Sequence, residues 1–301
     1  IKDGKLCGIK VGGAIYEYRR AVLAIGHSAR DTFRTLFNKG VYMESKDFAM
    51  GYRIEQRQEL VNVDRYGRFF NNEKLPAADY KLVSHASERS VFTFCMCPGG
   101  QVFAASSEKG GLCVNGMSNY ARDMENANSA VVCQIKKEDF ETDGALSGVE
   151  LQRKIERAAF MLGGGDYVAP AQLAEDFIKG QKSVSFNGVG PSYPRGTVLC
   201  DLSALYPKPV TDSIRKGLAD MDGKIKGFAS CGAVLTGVET RTSSPVRITR
   251  GNDFESVNVS GLYPCGEGCG YAGGIASAAA DGIRIAEAIF ESIKKPYLTK
   301  I

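Results

Sequence analysis

The stretch Val257–Ile275, VNVSGLYPCGEGCGYAGGI, decides the fold of this chain. It predicts a strand, a glycine-rich turn and the start of a helix, and an alanine-rich amphipathic run follows it to Lys295. The first N–H groups of a helix have no intrahelical acceptor, and Gly273 and Gly274 would leave them uncovered. Together with the positive end of the helix dipole, these groups attract an anionic or electron-rich ligand, so the pattern indicates a nucleotide-type cofactor.

Within this stretch, Gly268-x-Gly270-x-x-Gly273 matches the dinucleotide fingerprint letter for letter. That fingerprint normally opens a Rossmann domain and is followed by a second strand and an acidic residue about 20 positions later. Here only one helix separates it from Ile301. We therefore interpret the turn as the last strand–helix element of a sheet that begins elsewhere. The alternative is a tight turn that only lets a helix pack on a strand.

These residues also carry a family resemblance. Leu262–Gly268, with Gly273–Ile275 and Ala279-x-Asp281-Gly282, resembles the carboxy-terminal flavin motif of FAD-dependent oxidoreductases with the glutathione-reductase-type fold. More narrowly, the chain resembles a group of bacterial FAD-dependent dehydrogenases in four further motifs: Cys97–Gly100, Val114–Ser118, Ala127-Asn128 and Arg241–Arg247.

The resemblance covers only the later part of such an oxidoreductase. In that family an amino-terminal unit holds the pyrophosphate and adenosine, and nothing in this sequence corresponds to it. The chain also opens at Ile1 without Met, in a predicted strand pair at Leu6–Val11 and Ala14–Tyr18. We therefore expect a carboxy-terminal fragment that binds FAD weakly or not at all by itself.

The predicted fold class is α/β with an inserted α+β domain. Residues 1–44 and 236–301 would form a partial FAD/NAD(P)-binding, Rossmann-like domain that lacks its amino-terminal βαβ unit, and Val22–Ile25 and Val259–Tyr263 would share its sheet. Residues 45–235 would form the inserted substrate or cap domain. Its predicted elements include a strand at Phe48–Gln56 and helices at Gly148–Leu162, Ala171–Lys179 and Thr211–Met221.

Composition describes a globular protein of ordinary character. The chain has 301 residues, of which 44% are hydrophobic and 24% charged. No apolar run approaches the ~20 residues that cross a bilayer, so we expect a soluble, cytoplasmic protein without a membrane partner. The net charge of +4 comes from 38 basic and 34 acidic side chains scattered along the chain, which argues against nucleic acid. A small-molecule substrate is the expected partner, and neither its identity nor the oligomeric state follows from the sequence.

The nine cysteines are an odd number in a chain too long for a small disulfide scaffold, which favours buried thiols in a reducing compartment. Cys95-x-Cys97 and Cys265-x3-Cys269 lack the two-residue spacing of zinc sites, and the chain has only two histidines, so we expect no metal. For Cys265 and Cys269, a redox pair beside a flavin remains an alternative to buried thiols.

The cofactor-binding candidates surround the two predicted glycine turns. Glu267 directly follows the last strand, where a carboxylate accepts hydrogen bonds from sugar or ribityl hydroxyls. In the resembling fold this position is commonly Asp, so Glu is a departure, and a solvated turn carboxylate is its alternative. The predicted cofactor-binding residues are Gly26, Gly266, Glu267, Gly273, Gly274 and Ile275.

The substrate-binding candidates are Arg241, Ser243, Ser244 and Arg247. Two arginine forks separated by hydroxyls can bind a carboxylate or phosphate, and a surface loop held by Pro245 is the alternative. His27, after Gly26, and Arg241 are the catalytic candidates, His27 because its imidazole titrates near neutral pH. His85, Asn115, Ser118 and Arg122 are weaker candidates that rest mainly on the resemblance.

Two functions of different class follow. In the first, the chain is part of a FAD-dependent oxidoreductase and supplies flavin contacts and the substrate domain. In the second, it is a substrate-recognition or cap module without catalysis of its own. The flavin absorbance of this chain and of a longer version would separate them.

Overall fold

The computed structural model describes residues 1–298, with side chains as far as Lys294. This part of the chain has an α/β fold with six helices. The helices are α1 (Arg30–Asn38), α2 (Gln58–Tyr66), α3 (Ser147–Leu162), α4 (Ala174–Lys179), α5 (Lys208–Lys224) and α6 (Ile275–Leu298).

The described residues also form fifteen strands, several of which follow one another without a helix between them. They are β1 (Ile9–Val11), β2 (Ala14–Tyr16), β3 (Ala21–Leu23), β4 (Met43–Ser45), β5 (Phe48–Arg57), β6 (Val83–Ser84), β7 (Val91–Cys97), β8 (Gly100–Ala104), β9 (Val114–Ser118), β10 (Asn126–Ile135), β11 (Ala169–Leu173), β12 (Thr197–Leu199), β13 (Val234–Glu239), β14 (Val246–Ile248) and β15 (Leu262–Pro264).

The chain divides into two compact units. Unit 1 comprises Ile1–Phe48, Lys136–Leu151 and the residues from Ser243 onward, and unit 2 comprises Ala49–Ile135 and Gln152–Thr242. The sequence placed the boundaries at 44/45 and 235/236, whereas the units change at 48/49 and 242/243. Sequence reasoning did not anticipate that residues 136–151, which include the first turn of α3, belong to unit 1.

Unit 2 is built on a mixed seven-stranded sheet in the order β12-β11-β13-β5-β10-β7-β6. β11 pairs with β12 in parallel, and the β13–β11, β13–β5, β10–β7 and β6–β7 pairs are antiparallel. β5 is buried along nearly its whole length, as expected for a central strand. The strand predicted at Phe48–Gln56 and the helix predicted at Thr211–Met221 are confirmed by β5 and α5, and the helix predicted at Gly148–Leu162 by α3.

One predicted helix of unit 2 is partly wrong. Residues Ala169–Leu173 form strand β11, fully buried between β12 and β13, and only Ala174–Lys179 are helical. Ala, Gln and Leu favour helices, but propensity is weak compared with burial and pairing inside a sheet.

Unit 1 contains the strands that flank the glycine turns. β3 and β15 pair in parallel, with Leu262 opposite Ala21 and Pro264 opposite Leu23. The prediction that Val22–Ile25 and Val259–Tyr263 share a sheet is therefore confirmed. β1 and β2 form the predicted antiparallel pair, and β4 pairs with β14. β3 is less buried than the sequence suggested, because Val22 is 49% exposed.

The core of unit 1 brings together residues from distant parts of the chain. Phe33 from α1, Leu146 and Val149 near the start of α3, and Val246 and Leu262 from the strands all pack in one cluster. This packing explains why residues 136–151 belong to unit 1. In the described residues, no helix has both the length and the apolar character needed to span a membrane.

Candidate functional site

The glycine turn after β15 lies directly against the loop after β3. The Cys265 amide donates to the Leu23 carbonyl at 3.0 Å, which continues the strand pairing beyond β15. A Cβ atom at Gly268 would lie only 2.4 Å from the Gly26 carbonyl oxygen, so the two loops approach backbone to backbone and require glycine at position 268. The predicted cofactor residues Gly26, Gly266 and Glu267 are therefore neighbours in space.

A buried ion pair fixes this turn to helix α6. Arg250 binds Asp281 through both guanidinium nitrogens, at 2.6 and 2.9 Å, and Asp281 also accepts a hydrogen bond from the Gly266 amide at 2.8 Å. Arg250 donates further to the Pro264 carbonyl at 2.6 Å and lies 3.7 Å from the Tyr271 ring centroid. Burial opposes ionisation of Asp281, but the hydrogen bonds from Arg250 and Gly266 outweigh it and lower the pKa of the carboxyl.

His27 and Glu267 are brought together where the two loops meet. Nε2 of His27 lies 3.7 Å from Oε1 of Glu267, and each side chain is about 25% exposed. Nδ1 of His27 lies 2.9 Å from the Ser28 hydroxyl, an arrangement that suits either tautomer. The pair places an imidazole and a carboxylate within reach of one ligand, where they can hold or exchange a proton.

The amino terminus of α6 is open. A Cβ atom at Gly273 or at Gly274 would have no neighbour within 4 Å, and Ile275 is 94% exposed. The Gly273 amide donates to the Ser277 hydroxyl at 3.3 Å. Because the first amides of a helix have no backbone acceptor within it, the other amides of this end and its positive dipole are suited to a ligand. The structure thus places Gly273, Gly274 and Ile275 at an accessible helix terminus adjoining the glycine turn.

A polar cavity of about 430 Å³ lies beside β4 and β14 in the same unit. Burial lowers the pKa of Lys46, and the charge of Arg247 lowers it further, whereas Asp47 and Glu267 oppose both effects. Nε of Arg247 is buried and has no hydrogen-bond partner within the described residues. Sequence reasoning included Arg247 but missed Lys46. The cavity is lined by Glu44, Ser45, Lys46, Asp47, Lys137, Glu138 and Arg247.

The predicted substrate loop is divided between the two units. Arg241 belongs to unit 2 and Ser243, Ser244 and Arg247 to unit 1. Arg241 forms a buried two-point pair with Glu156, with nitrogen–oxygen distances of 2.9 and 2.8 Å, and also contacts the Ser107 hydroxyl. These contacts favour a structural role for Arg241.

The two serines of that loop differ in their contacts. The Ser244 hydroxyl is buried, lies 2.9 Å from the Gly268 carbonyl and accepts from the Val246 amide at 3.2 Å. Ser244 therefore holds the glycine turn in place. The side chain of Ser243, by contrast, is half-buried.

The four weaker candidates all lie in unit 2. His85 Nδ1 lies 3.1 Å from the Ser90 hydroxyl, and the Ser118 hydroxyl donates to the Pro98 carbonyl at 2.6 Å. The Asn115 side chain accepts from the Gly116 amide at 2.7 Å, and Arg122 has a left-handed backbone with φ of 53°. These are local contacts, and they point to no common ligand.

Cys265 and Cys269 are buried thiols beside the glycine turn. Burial raises the pKa of both and brings that of Cys269 to about 12, which keeps these thiols protonated near neutral pH. Across the described residues, no three or more His, Cys, Asp or Glu side chains are grouped to hold a metal ion.

Comparison with known proteins adds two findings. Residues 47–242 match the family described as "FAD-dependent protein, C-terminal domain-like". Over 297 residues the chain is 51% identical to an uncharacterized protein of Clostridium beijerinckii (strain ATCC 51743 / NCIMB 8052). That similarity covers 98% of the chain and 56% of the Clostridium protein, so the chain spans little more than half of its relative's length.

Proposed function

We propose, from the premise that the chain belongs to the FAD-dependent protein C-terminal domain-like family, that it forms the flavin-side and substrate-side part of a FAD-dependent oxidoreductase. The observation that carries this proposal is the junction of the two glycine loops in unit 1. There an open helix terminus, a His27–Glu267 pair and a glycine-only backbone contact lie together.

The residues of this junction suit a flavin. The amides of Gly274 and Ile275 would donate to electron-rich atoms, and a ligand meets no protein atom within 4 Å of the Cβ positions of Gly273 and Gly274. Glu267 would accept hydrogen bonds from ribityl hydroxyls. The buried Nε of Arg247 lacks an acceptor among the described residues, and an anionic ligand in the neighbouring cavity would supply one.

We infer that unit 1 is the carboxy-terminal part of a Rossmann-like FAD-binding domain. Its parallel β3–β15 pair followed by α6 supports this interpretation. The Clostridium relative is almost twice as long as the matched region, so the corresponding whole protein has room for the unit that holds pyrophosphate and adenosine. This chain alone would then bind FAD weakly, because binding energy in such sites is spread along the dinucleotide.

When bound, a flavin supplies hydride transfer, and the protein supplies binding, orientation and electrostatics. Lys46 and Arg247 would stabilise negative charge near the ligand. His27, oriented by Glu267 and Ser28, would hold or accept a proton. The substrate would be a small molecule, and the nine thiols of the chain suit a cytoplasmic location.

A second function is that of a substrate-recognition module without catalysis. One observation favours it: the family match at residues 47–242 begins and ends close to the outer limits of unit 2, at Ala49 and Thr242. In this alternative the family is defined by unit 2, and unit 1 only connects it to the rest of the protein.

Flavin binding tests the first proposal. We expect the 301-residue chain to show weak flavin binding and a version extended to the length of the Clostridium relative to carry flavin absorbance. In the extended protein, Gly274→Val should reduce FAD affinity at least tenfold, because its side chain meets no protein atom but would project toward the ligand. Gly223→Val is the matched control, since Gly223 in α5 is equally open. An extended protein without flavin binding would favour the recognition module.

A further inference from the structure

Cys95 lies at a β-bulge near the end of β7. Cys97 is opposite Asn128 on β10 and Phe94 is opposite Ala130, so β7 has one residue more than β10 between these pairs. Cys95 has a left-handed backbone with φ of 45°, a conformation that costs a non-glycine residue about 1 kcal/mol or more. Regular alternation would direct Cys95 to the buried side of Val91 and Thr93, but the bulge leaves it exposed.

A buried arginine lies behind the two cysteines. Nη2 of Arg53 donates to the Cys95 carbonyl at 2.6 Å and lies 3.2 Å from Sγ of Cys97. Arg53 is 0% exposed and is held by Glu239 at 3.0 Å and by the Asn128 side-chain oxygen at 2.8 Å. A fixed positive charge therefore adjoins the Cys97 thiol and the backbone of Cys95.

The space for Arg53 depends on a glycine in the neighbouring strand β9. A Cβ atom at Gly116 would lie 2.0 Å from both the Arg53 guanidinium and the Asn128 oxygen. The cation, the bulge and the two cysteines thus form one arrangement built from β5, β7, β9 and β10.

The thiols of Cys95 and Cys97 differ in exposure and in pKa. The Cys97 thiol donates to the Cys95 carbonyl at 3.4 Å. The neighbouring Cys97 side chain lowers the pKa of the exposed Cys95 to about 6, although partial burial opposes this shift and the charge of Arg53 supports it. The neighbouring Cys95 side chain and burial raise the pKa of Cys97. At neutral pH Cys95 is therefore the thiolate and Cys97 keeps its proton.

We propose that Cys95 and Cys97 form a redox-active dithiol that exchanges with low-molecular-weight disulfides, with the exposed Cys95 as the attacking sulfur and the buried Cys97 as the resolving sulfur. The hydrogen bond from the Cys97 thiol to the Cys95 carbonyl, the exposure of Cys95 alone and the adjoining Arg53 support these separate roles. The inference goes beyond the flavin proposal and does not depend on it.

The exchange balances in two steps. The Cys95 thiolate attacks one sulfur of the small disulfide, forms a mixed disulfide and releases the first small thiolate. Cys97 then loses its proton to solvent and attacks Sγ of Cys95, forming the Cys95–Cys97 disulfide and releasing the second thiolate. The protein dithiol is oxidised, and one small disulfide is reduced to two thiols.

Dithiobis-nitrobenzoate, an aromatic disulfide, is a suitable probe. At pH 6 about half of Cys95 is thiolate. At the same pH, a thiol of pKa near 8.5 is thiolate in only about one in 300 molecules. The thiolate of an acidic thiol is less nucleophilic, which removes roughly tenfold of the rate advantage that its larger thiolate fraction gives. We expect Cys95 to react about tenfold faster than the exposed Cys7 and Cys231, which serve as internal controls. The tryptic peptide Ser90–Lys109 contains Cys95 and Cys97 and no other cysteine, so mass spectrometry resolves the site.

Variants separate the two roles. In the unmodified protein the Ser90–Lys109 peptide should lose the mass of two hydrogen atoms, with two nitrobenzoate thiolates released per dithiol. Cys97→Ser should stop at a mixed disulfide on Cys95. Cys95→Ser should leave Cys97 unmodified in the folded protein, because Cys97 is buried.

Equal labelling of Cys95, Cys7 and Cys231 in the unsubstituted protein would overturn the proposal, and this measurement does not depend on how the variants fold. A stable mixed disulfide on Cys95 of the unsubstituted protein would overturn the role of Cys97.

Discussion

Arg250 and Asp281 join the glycine turn to helix α6 through a buried two-point ion pair, with nitrogen–oxygen distances of 2.6 and 2.9 Å. Because Asp281 also accepts from the Gly266 amide, this pair fixes the end of β15 relative to α6. The place of Gly273 and Gly274 at the amino terminus of α6 depends on that position. The pair therefore helps to set where the helix begins relative to β15.

Asp281→Asn should lower the free energy of unfolding by about 3 kcal/mol, because it leaves the charge of Arg250 buried without its partner. The folded-state pKa of Asp281 is lowered, so the stability that the pair contributes is present above the unfolded pKa and is lost as pH falls through the folded value. The difference between the two proteins in denaturant titrations should accordingly shrink in acid.

Arg284→Ala is the control for Asp281→Asn, since Arg284 is exposed on the same helix and acts on Asp281 only through its charge. Its effect should stay within about 0.5 kcal/mol. Equal stability of Asp281→Asn and the unsubstituted protein at pH 7 would contradict the structural role of the pair.

Arg241→Ala should lower the free energy of unfolding by about 3 to 5 kcal/mol, because it leaves Glu156 buried and uncompensated. Arg34→Ala is the matched comparison: Arg34 pairs with Glu150, but both side chains are about half exposed, and such pairs contribute about 0 to 1 kcal/mol. Denaturant titration measures the free energy of unfolding of both variants. Unchanged stability of Arg241→Ala together with weaker ligand binding would instead support the substrate role that the sequence suggested.

The sequence predicted the elements whose patterns are local. The shared sheet of β3 and β15 followed from nucleotide-domain patterns at both ends of the chain, and α3 followed from apolar residues at helical spacing. Glu267 and His27 were both candidates, but their 3.7 Å contact depends on how the two loops meet, which the strand pairing determines.

Contacts between residues far apart in sequence could not be predicted. Arg241 pairs with Glu156, 85 positions earlier, and a buried partner of this kind leaves no periodic signal. The bulge that exposes Cys95 arises from the pairing of β7 with β10. Residues Ala171–Leu173 have helix-favouring side chains, and their pairing with β12 and β13 makes them part of a strand.

Glu239 should make stability depend on pH near neutrality. Burial raises its pKa to about 7, although Arg53 opposes this shift. The pKa of Glu239 in the folded protein lies above its value of about 4.3 in the unfolded chain. The stability that protonated Glu239 contributes is therefore fully present below about pH 4.3 and is lost as pH rises through about 7. The stability of the unsubstituted protein relative to Glu239→Gln should therefore fall by roughly 1 to 3 kcal/mol between pH 5 and pH 8.

Denaturant titrations at several pH values measure this difference for Glu239→Gln. Glu59→Gln, which removes an exposed carboxylate from α2, should give a difference that stays within about 0.5 kcal/mol over the same range. A flat difference for Glu239→Gln would show that Glu239 keeps its charge throughout and that Arg53 outweighs burial.

Arg247→Ala should weaken binding of FAD to the extended protein about 10- to 100-fold, since a charged hydrogen bond contributes about 1.5 to 3 kcal/mol. The buried Nε of Arg247 has no acceptor among the described residues, so removing the side chain breaks few contacts within the protein. Its approach to the Tyr271 ring, at 5.5 Å, contributes about 1 kcal/mol at most. Flavin fluorescence titration gives the affinity, and a melting curve gives the stability. Lys39→Ala, which removes a positive charge at the end of α1, should leave both unchanged. Equal FAD affinity in Arg247→Ala and Lys39→Ala would exclude Arg247 from the binding site.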